Sequence, residues 1–275
     1  MKRVLLKVAY DGSAYHGYQS QDNGITIESE LSRAVFEVTG EKVNLIGGSR
    51  TDAGVHALSN IVVFDTDTPV PGQKLSYALN AHLPEDIRVV DSVEVKPDFH
   101  PRHIDSVKTY EYRIHNSEFD DPIKRSFYLH SYVNLDTDLM KKAAKYIEGE
   151  HDFSSFCSAG AQVDSKVRTV YSVELETIEL PPYKIDKGPI LKELSEHETQ
   201  HREYPNRDII IRVRGNGFLY NMVRIIAGTL IDVGRGVIDP DSLPSIIGSK
   251  DRSKAGPTAP PCGLCLTDYH FVDPS

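Results

Sequence analysis

Polar and apolar positions alternate from Arg3 to Asp11, with Val4, Leu6, Val8 and Tyr10 on one side. A period of two predicts a half-buried strand. After a glycine- and aromatic-rich loop the spacing changes. Ile27, Leu31, Ala34, Val35 and Val38 recur at helical intervals, with Thr26 placed as an N-cap and Gly40 as the stop. Strands are predicted at 43–48 and 58–65, a helix from Pro71 to Leu83, and a strand from Ile87 to Val95. Near residue 100 the chain turns polar and proline-bearing (DFHPRHIDS), which sets a boundary between a first unit, 1–103, and a second, 104–275.

The second unit opens with a strand from Val107 to His115, whose alternation puts Lys108, Tyr110, Tyr112 and Ile114 on one face. A helix is predicted over 135–147 and strands over 168–180 and 208–214. Residues 181–207 are charged and flanked by prolines, and read as a surface insertion. Gly217 to Val233 reads as a long apolar helix with Asn216 as its cap and Gly234 past its end. A last strand runs from Leu266 to Val272. Strands outnumber helices and do not alternate strictly with them. The class is therefore α+β, with mixed, largely antiparallel sheets and helices packed on them.

Composition narrows the setting. The chain has 275 residues, 39% hydrophobic and 26% charged, with three cysteines. No apolar leader is visible and no stretch is long enough to span a membrane, so a cytoplasmic, reduced protein is expected. A net charge of −9 argues mildly against a nucleic-acid partner. Distribution matters more than the total. Residues 207–235 carry Arg207, Arg212, Arg214, Arg224 and Arg235 against only Asp208 and Asp232.

Four places carry candidate chemistry. The turn GGSRTDAGVHA, residues 47–57, gathers Arg50, Asp52 and His56 at a strand exit, although Asp and Gly are also ordinary turn residues. Arg224 interrupts an apolar helix beside Ala227 and Gly228. A buried arginine needs a carboxylate, for which Asp52 is a candidate, whereas a snorkelling one needs none. Tyr110 and Tyr112 pack a sheet or form a stacking platform for a base, with Lys108 and Arg113 beside them. Pro261-Cys262 with Cys265, and His201 with Glu203, are the parts of a zinc deaminase signature. The histidine and glutamate fall in the charged insertion, however, and the cysteines lead into a strand, so no metal is expected. No phosphate-binding loop or dinucleotide fingerprint occurs.

Five segments together resemble the TruA family of tRNA pseudouridine synthases: YDGSAYHGYQSQ (10–21), GGSRTDAGVHA (47–57), FHPRHIDSVKTYEYRIHN (99–116), GFLYNMVRIIAGTL (217–230) and GLCLTDY (263–269). Tyr18 and Ser20 stand where many relatives carry tryptophan and arginine. The resemblance implies two α+β halves whose sheets join across a central cleft, a homodimer, and no cofactor or metal. It implies isomerisation of uridine to pseudouridine in the tRNA anticodon stem-loop, positions 38 to 40. The catalytic aspartate falls on Asp52, the base-contacting tyrosine on Tyr110, the active-site arginine on Arg224, the base-expelling arginine on Arg50, and an apolar neighbour of the uracil on Leu264. Attack at C1′, attack at C6 and removal of a sugar proton all need one ionised carboxylate. A zinc-dependent deaminase and a non-catalytic RNA-binding protein of the same fold are the alternatives.

Overall fold

A computed structural model describes all residues except 23, 161–162, 182–203 and 273–275. Its frame is one open mixed sheet of ten strands. In chain order these are β1 (Lys2–Tyr10), β2 (Ile46–Gly47), β3 (His56–Thr66), β4 (Ile87–Val95), β5 (Ser106–Ser117), β6 (Leu129–Ser131), β7 (Gly149–Asp152), β8 (Val167–Glu179), β9 (Asn206–Gly215) and β10 (Leu264–Phe271). The main path runs β4-β1-β3-β10-β5-β9-β8-β7, with β2 on β3 and β6 on β5. All pairs are antiparallel except β10 with β3 and β6 with β5.

The last strand therefore joins the two ends of the chain. β10 lies between β3 and β5, and it meets β3 through only two pairs, Cys265 with His56 and Leu266 with Ala57. Both strands begin at this seam. The turn that leads into β3 and the segment that leads into β10 are thus delivered to one place.

Among the described residues, five α-helices accompany the sheet: α1 (Ile27–Thr39), α2 (Leu75–Asn80), α3 (Thr137–Lys145), α4 (Met222–Gly234) and α5 (Leu243–Ser249). Helix α1 begins and ends where its sequence signals stand. Thr26 and Ser29 form a reciprocal capping box, and Gly40 closes the helix in the left-handed region. Tyr112, Ile114, Ile209, Ile211 and Val213 of the central strands are buried together with Ile225, Ile226, Leu230 and Val233 of α4 in one core. The opposite face of β5 is polar, where Glu111 pairs with Arg113 and Arg212.

Several expectations shift. The strand expected at 43–48 pairs only at Ile46–Gly47, opposite Val63 and Val62. The helix expected at 71–83 is a 3-10 turn over Gly72–Lys74 followed by the six residues of α2. The long helix starts at Met222, not at 217, and Asn216 is not its cap. Asn216 instead exchanges two hydrogen bonds with Thr169 at the end of the β8–β9 ladder. Asn221 then takes a left-handed conformation (φ 61°), so the chain cannot run helically into α4. Strands β6 and β7 and helix α5 lack a sequence signal long enough to find them. Most of the expected insertion at 181–207 lies outside the described residues, and β9 takes up its end from Asn206.

Candidate active site

The turn between β2 and β3 is fixed from below. Asn60 of β3 is fully buried and uses every hydrogen-bonding position of its amide. Its oxygen accepts from the Ser49 and Ile61 amides (3.2 and 2.9 Å), and its nitrogen donates to the Ser49 carbonyl and the Tyr10 hydroxyl (3.0 and 3.1 Å). The Tyr10 hydroxyl in turn lies 2.7 Å from the Thr51 hydroxyl. Gly54 makes the turn at φ 77°, a region open to glycine at little cost. Asp52 is thus presented by neighbours that are themselves held.

His56 closes the other side. It is buried, with one ring nitrogen accepting from the Gly12 amide (3.1 Å) and the other 3.2 Å from the Cys262 carbonyl. Burial lowers its pKa, and Asp11 opposes that shift. Its Nδ1 also lies 3.1 Å from the Asp11 carboxylate, so the ring is tied on both sides. His56 therefore ties the first loop to the start of β10 and does not face the cleft.

Asp52 opens into a cleft of about 830 Å³, which Arg50, Tyr110, Leu264 and Lys108 also line. Of the five residues singled out from the sequence, four line it directly. The fifth, Arg224, enters from α4 and places Nη1 3.4 Å from the Asp52 carboxylate. It does not offer a two-pronged fork. Nε donates to the Ala259 carbonyl (2.8 Å), and Nη1 also donates to the Asn221 side chain (2.8 Å). The small neighbours expected to leave room for an approach do so. A Cβ at Gly228 would fall 1.9 Å from the Pro257 carbonyl, so glycine lets the 256–260 segment reach α4 and offer Ala259 to Arg224.

The electrostatics follow from this placing. Burial raises the Asp52 pKa above the ordinary aspartate value, and the charge and hydrogen bond of Arg224 hold it down in part. Burial also raises that of Tyr110, whose ring meets Phe218 edge-on at 5.3 Å. Leu264 begins β10 directly opposite Tyr112, so its side chain closes the apolar end of the cleft near Tyr110. Arg50 is exposed at the rim. Asn221, Asn60 and Tyr10 were not singled out as site residues. For Asn221 a signal existed, since asparagine is among the few residues that accept positive φ.

Among the described residues no group of three His, Cys, Asp or Glu side chains could hold a metal. Cys262 lies in the 3-10 turn Pro261–Gly263 and Cys265 in β10. Cys262 lies 3.6 Å from the Tyr128 carbonyl, and Cys265 is buried, its thiol pushed up to about 11 by burial. His201 and Glu203 lie outside the described residues.

Comparison with known proteins agrees with these segments. The family described as tRNA pseudouridine synthase matches residues 7–103 and 143–272. A tRNA pseudouridine synthase A of Thermoanaerobacter sp. (strain X514) is 45% identical over 267 residues, 97% of this chain and 98% of that one. One from Caldicellulosiruptor saccharolyticus is 42% identical over 98% of this chain and all of its own. A tRNA pseudouridine synthase A 2 of Clostridium perfringens is 40% identical over the same shares.

Proposed function

The chain belongs to the tRNA pseudouridine synthase family, and from that premise we propose how it acts: it isomerises uridine to pseudouridine in tRNA, with Asp52 as the essential carboxylate and the uridines at positions 38 to 40 of the anticodon stem-loop as its targets. In this reading residues 1–103 supply the Asp52 loop. Residues 104–275 supply the Tyr110 strand and the Arg224 helix, together with the surface insertion at about 181–207. The protein works in the cytoplasm as a homodimer, without cofactor or metal.

The observation that carries the reading is the meeting of Asp52 and Arg224 at 3.4 Å, from residues 172 positions apart, in a cleft large enough for a nucleoside. The isomerisation breaks the glycosidic bond, turns the uracil and joins C5 to C1′. It therefore needs a carboxylate that is ionised yet shielded from water. Arg224 supplies the opposing charge, and burial supplies the shielding. Tyr110 offers its ring to the target base, and Leu264 closes the apolar side. Arg50, at the rim, occupies the space the base leaves in its stack. Taking the base out of that stack costs a few kcal/mol, which the cleft contacts offset.

Unmodified tRNA incubated with the protein should acquire pseudouridine at 38 to 40, mapped by sequencing after chemical modification, and it should do so in the presence of a chelator. Pseudouridine at other positions would overturn the target assignment. Its absence in tRNA of any source would overturn the activity.

A further inference from the structure

Among the described residues, six buried side-chain oxygens find no hydrogen-bond partner: those of Tyr18, Ser49, Ser59, Ser172, Thr177 and Asn206. Of these residues Ser49 alone lines the catalytic cleft. It stands three positions before Asp52, and only 5% of its surface is exposed. A buried hydroxyl without a partner costs free energy, so a small shift that brings one within reach is favoured.

The backbone of Ser49 cannot supply that shift. Asn60 holds both its amide and its carbonyl, at 3.2 and 3.0 Å. What remains is the single side-chain torsion, with three staggered positions for Oγ. The neighbour within its reach is the Tyr110 phenol. Tyr110 also lines the cleft, and among the described residues its hydroxyl makes no hydrogen bond. Its ring is fixed edge-on against Phe218, on a strand paired to both sides through Leu266 and Val213. Burial, Tyr10, Asp52 and Cys265 all disfavour the ionised phenol, whereas Ser49 favours it, as a donor close to the phenolic oxygen does. The two hydroxyls thus stand side by side, just short of a hydrogen bond.

We propose that Ser49 is a positioning residue for Tyr110: by turning about its side-chain torsion it donates to the phenolic oxygen, and the phenol so held carries the proton that isomerisation must move from C5 to N1 of the uracil. The inference rests on the pseudouridine synthase reading. Once C5 has joined C1′, it bears both its hydrogen and the new bond, and C6 is double-bonded to N1. To finish, the C5–H bond breaks and its electron pair forms the C5–C6 double bond. The C6–N1 π pair moves to N1, which takes a proton. One proton leaves and one arrives, so no outside acid or base is consumed. C5 and N1 flank C6 on one edge of the ring. A single hydroxyl there can give its proton to N1 and recover one from C5. In between, the phenolic oxygen bears negative charge close to Asp52, in a buried place. A hydrogen bond from Ser49 stabilises that charge as it develops.

The test is an isotope effect. Single-turnover formation of pseudouridine is followed in unmodified tRNA carrying hydrogen or deuterium at C5 of its uridines, with wild type, Ser49→Ala, Tyr110→Phe and the double variant. Affinity for tRNA is measured by fluorescence anisotropy, and stability by thermal melting. Ser49→Ala should slow the reaction about 10- to 100-fold, the worth of a hydrogen bond to a developing charge. Its affinity for tRNA should not change. Its C5 isotope effect should exceed that of wild type, because slower proton transfer limits the rate more. It should melt no lower than wild type, since the hydroxyl removed has no partner. In the Tyr110→Phe background the same substitution should cost nothing further. Should Tyr110→Phe be too slow to measure, the isotope effect in Ser49→Ala decides. A wild-type rate and isotope effect in Ser49→Ala would overturn the inference and leave the pseudouridine synthase reading standing. A slower variant with an unchanged isotope effect or a lower melting temperature would make Ser49 structural, and weakened tRNA binding would make it a binding residue. Either result also overturns the inference. A wild type that forms no pseudouridine would overturn the reading itself, and the inference with it.

Discussion

Arg224 reaches Asp52 with one nitrogen, at 3.4 Å, while its Nε is held by the Ala259 carbonyl and the same Nη1 by Asn221. The guanidinium is therefore positioned by neutral partners and is only lightly spent on the carboxylate. Asp52 keeps oxygen lone pairs free for a substrate. It also sits where burial opposes its charge. A tight bidentate pair would have stabilised the ground state more and left less for the reaction.

Asp52→Asn should leave tRNA affinity within a few-fold of wild type and give no detectable pseudouridine. It should also melt at a higher temperature. The folded-state pKa of Asp52 is raised, so its ionised form costs stability above that pKa. The cost disappears as the pH falls below the ordinary aspartate value. Scanning calorimetry should therefore show the Asn variant ahead at neutral pH and the gap closing in acid. Substantial turnover by the Asn variant would remove Asp52 from the mechanism.

Arg224→Met removes the group that holds the Asp52 pKa down. The acid limb of kcat/KM should move to higher pH, and the rate at neutral pH should fall. Arg224→Lys should restore part of the rate and most of the limb's position, because the charge returns while the Ala259 hydrogen bond does not. A limb that stays in place in the Met variant would show that Asp52 is tuned by burial alone.

Tyr10→Phe deletes the hydroxyl that joins Asn60 to Thr51, next in sequence to Asp52. It leaves two buried polar groups short of a partner, at about 1–3 kcal/mol. Loosening the turn should lower kcat about 10- to 100-fold with little change in KM. Thr51→Val should do the same, and the double variant should be no slower than either alone. Additive losses would mean that Tyr10 and Thr51 act separately.

Gly228→Ala puts a methyl group 1.9 Å from the Pro257 carbonyl, so the 256–260 segment must move. Overpacking of this kind costs about 1–3 kcal/mol. Because Ala259 anchors Arg224, the variant should lose activity beyond its loss of stability and reproduce the shifted acid limb of Arg224→Met. Urea denaturation and the pH profile measure the two effects apart. A destabilised variant with a wild-type profile would show that Ala259 does not govern Arg224.

Much of this protein is written in local pattern. The alternation of β1, β4 and β5 and the capping box and stop glycine of α1 come from periods and termini that neighbouring residues set among themselves. The turn bearing Asp52, and the resemblance to pseudouridine synthases, were legible for the same reason: their residues are contiguous. Other features depended on partners distant in the chain. Asn216 has the residue type of a helix cap, yet the strand end at Thr169 claims it, so α4 starts five residues later than its apolar run suggests. His56 looks like chemistry beside Asp52, but the Gly12 amide and the Cys262 carbonyl make it a buried tie. Asn60 looks like any polar residue in a strand, and only the return of β1 alongside β3 makes it the clamp of the site. Sequence determined which residues could carry the reaction. The insertion of β10 between β3 and β5 decided that they meet, because hydrogen-bond partners and opposing charges are chosen by proximity in space, and that is fixed only when the sheet closes its order.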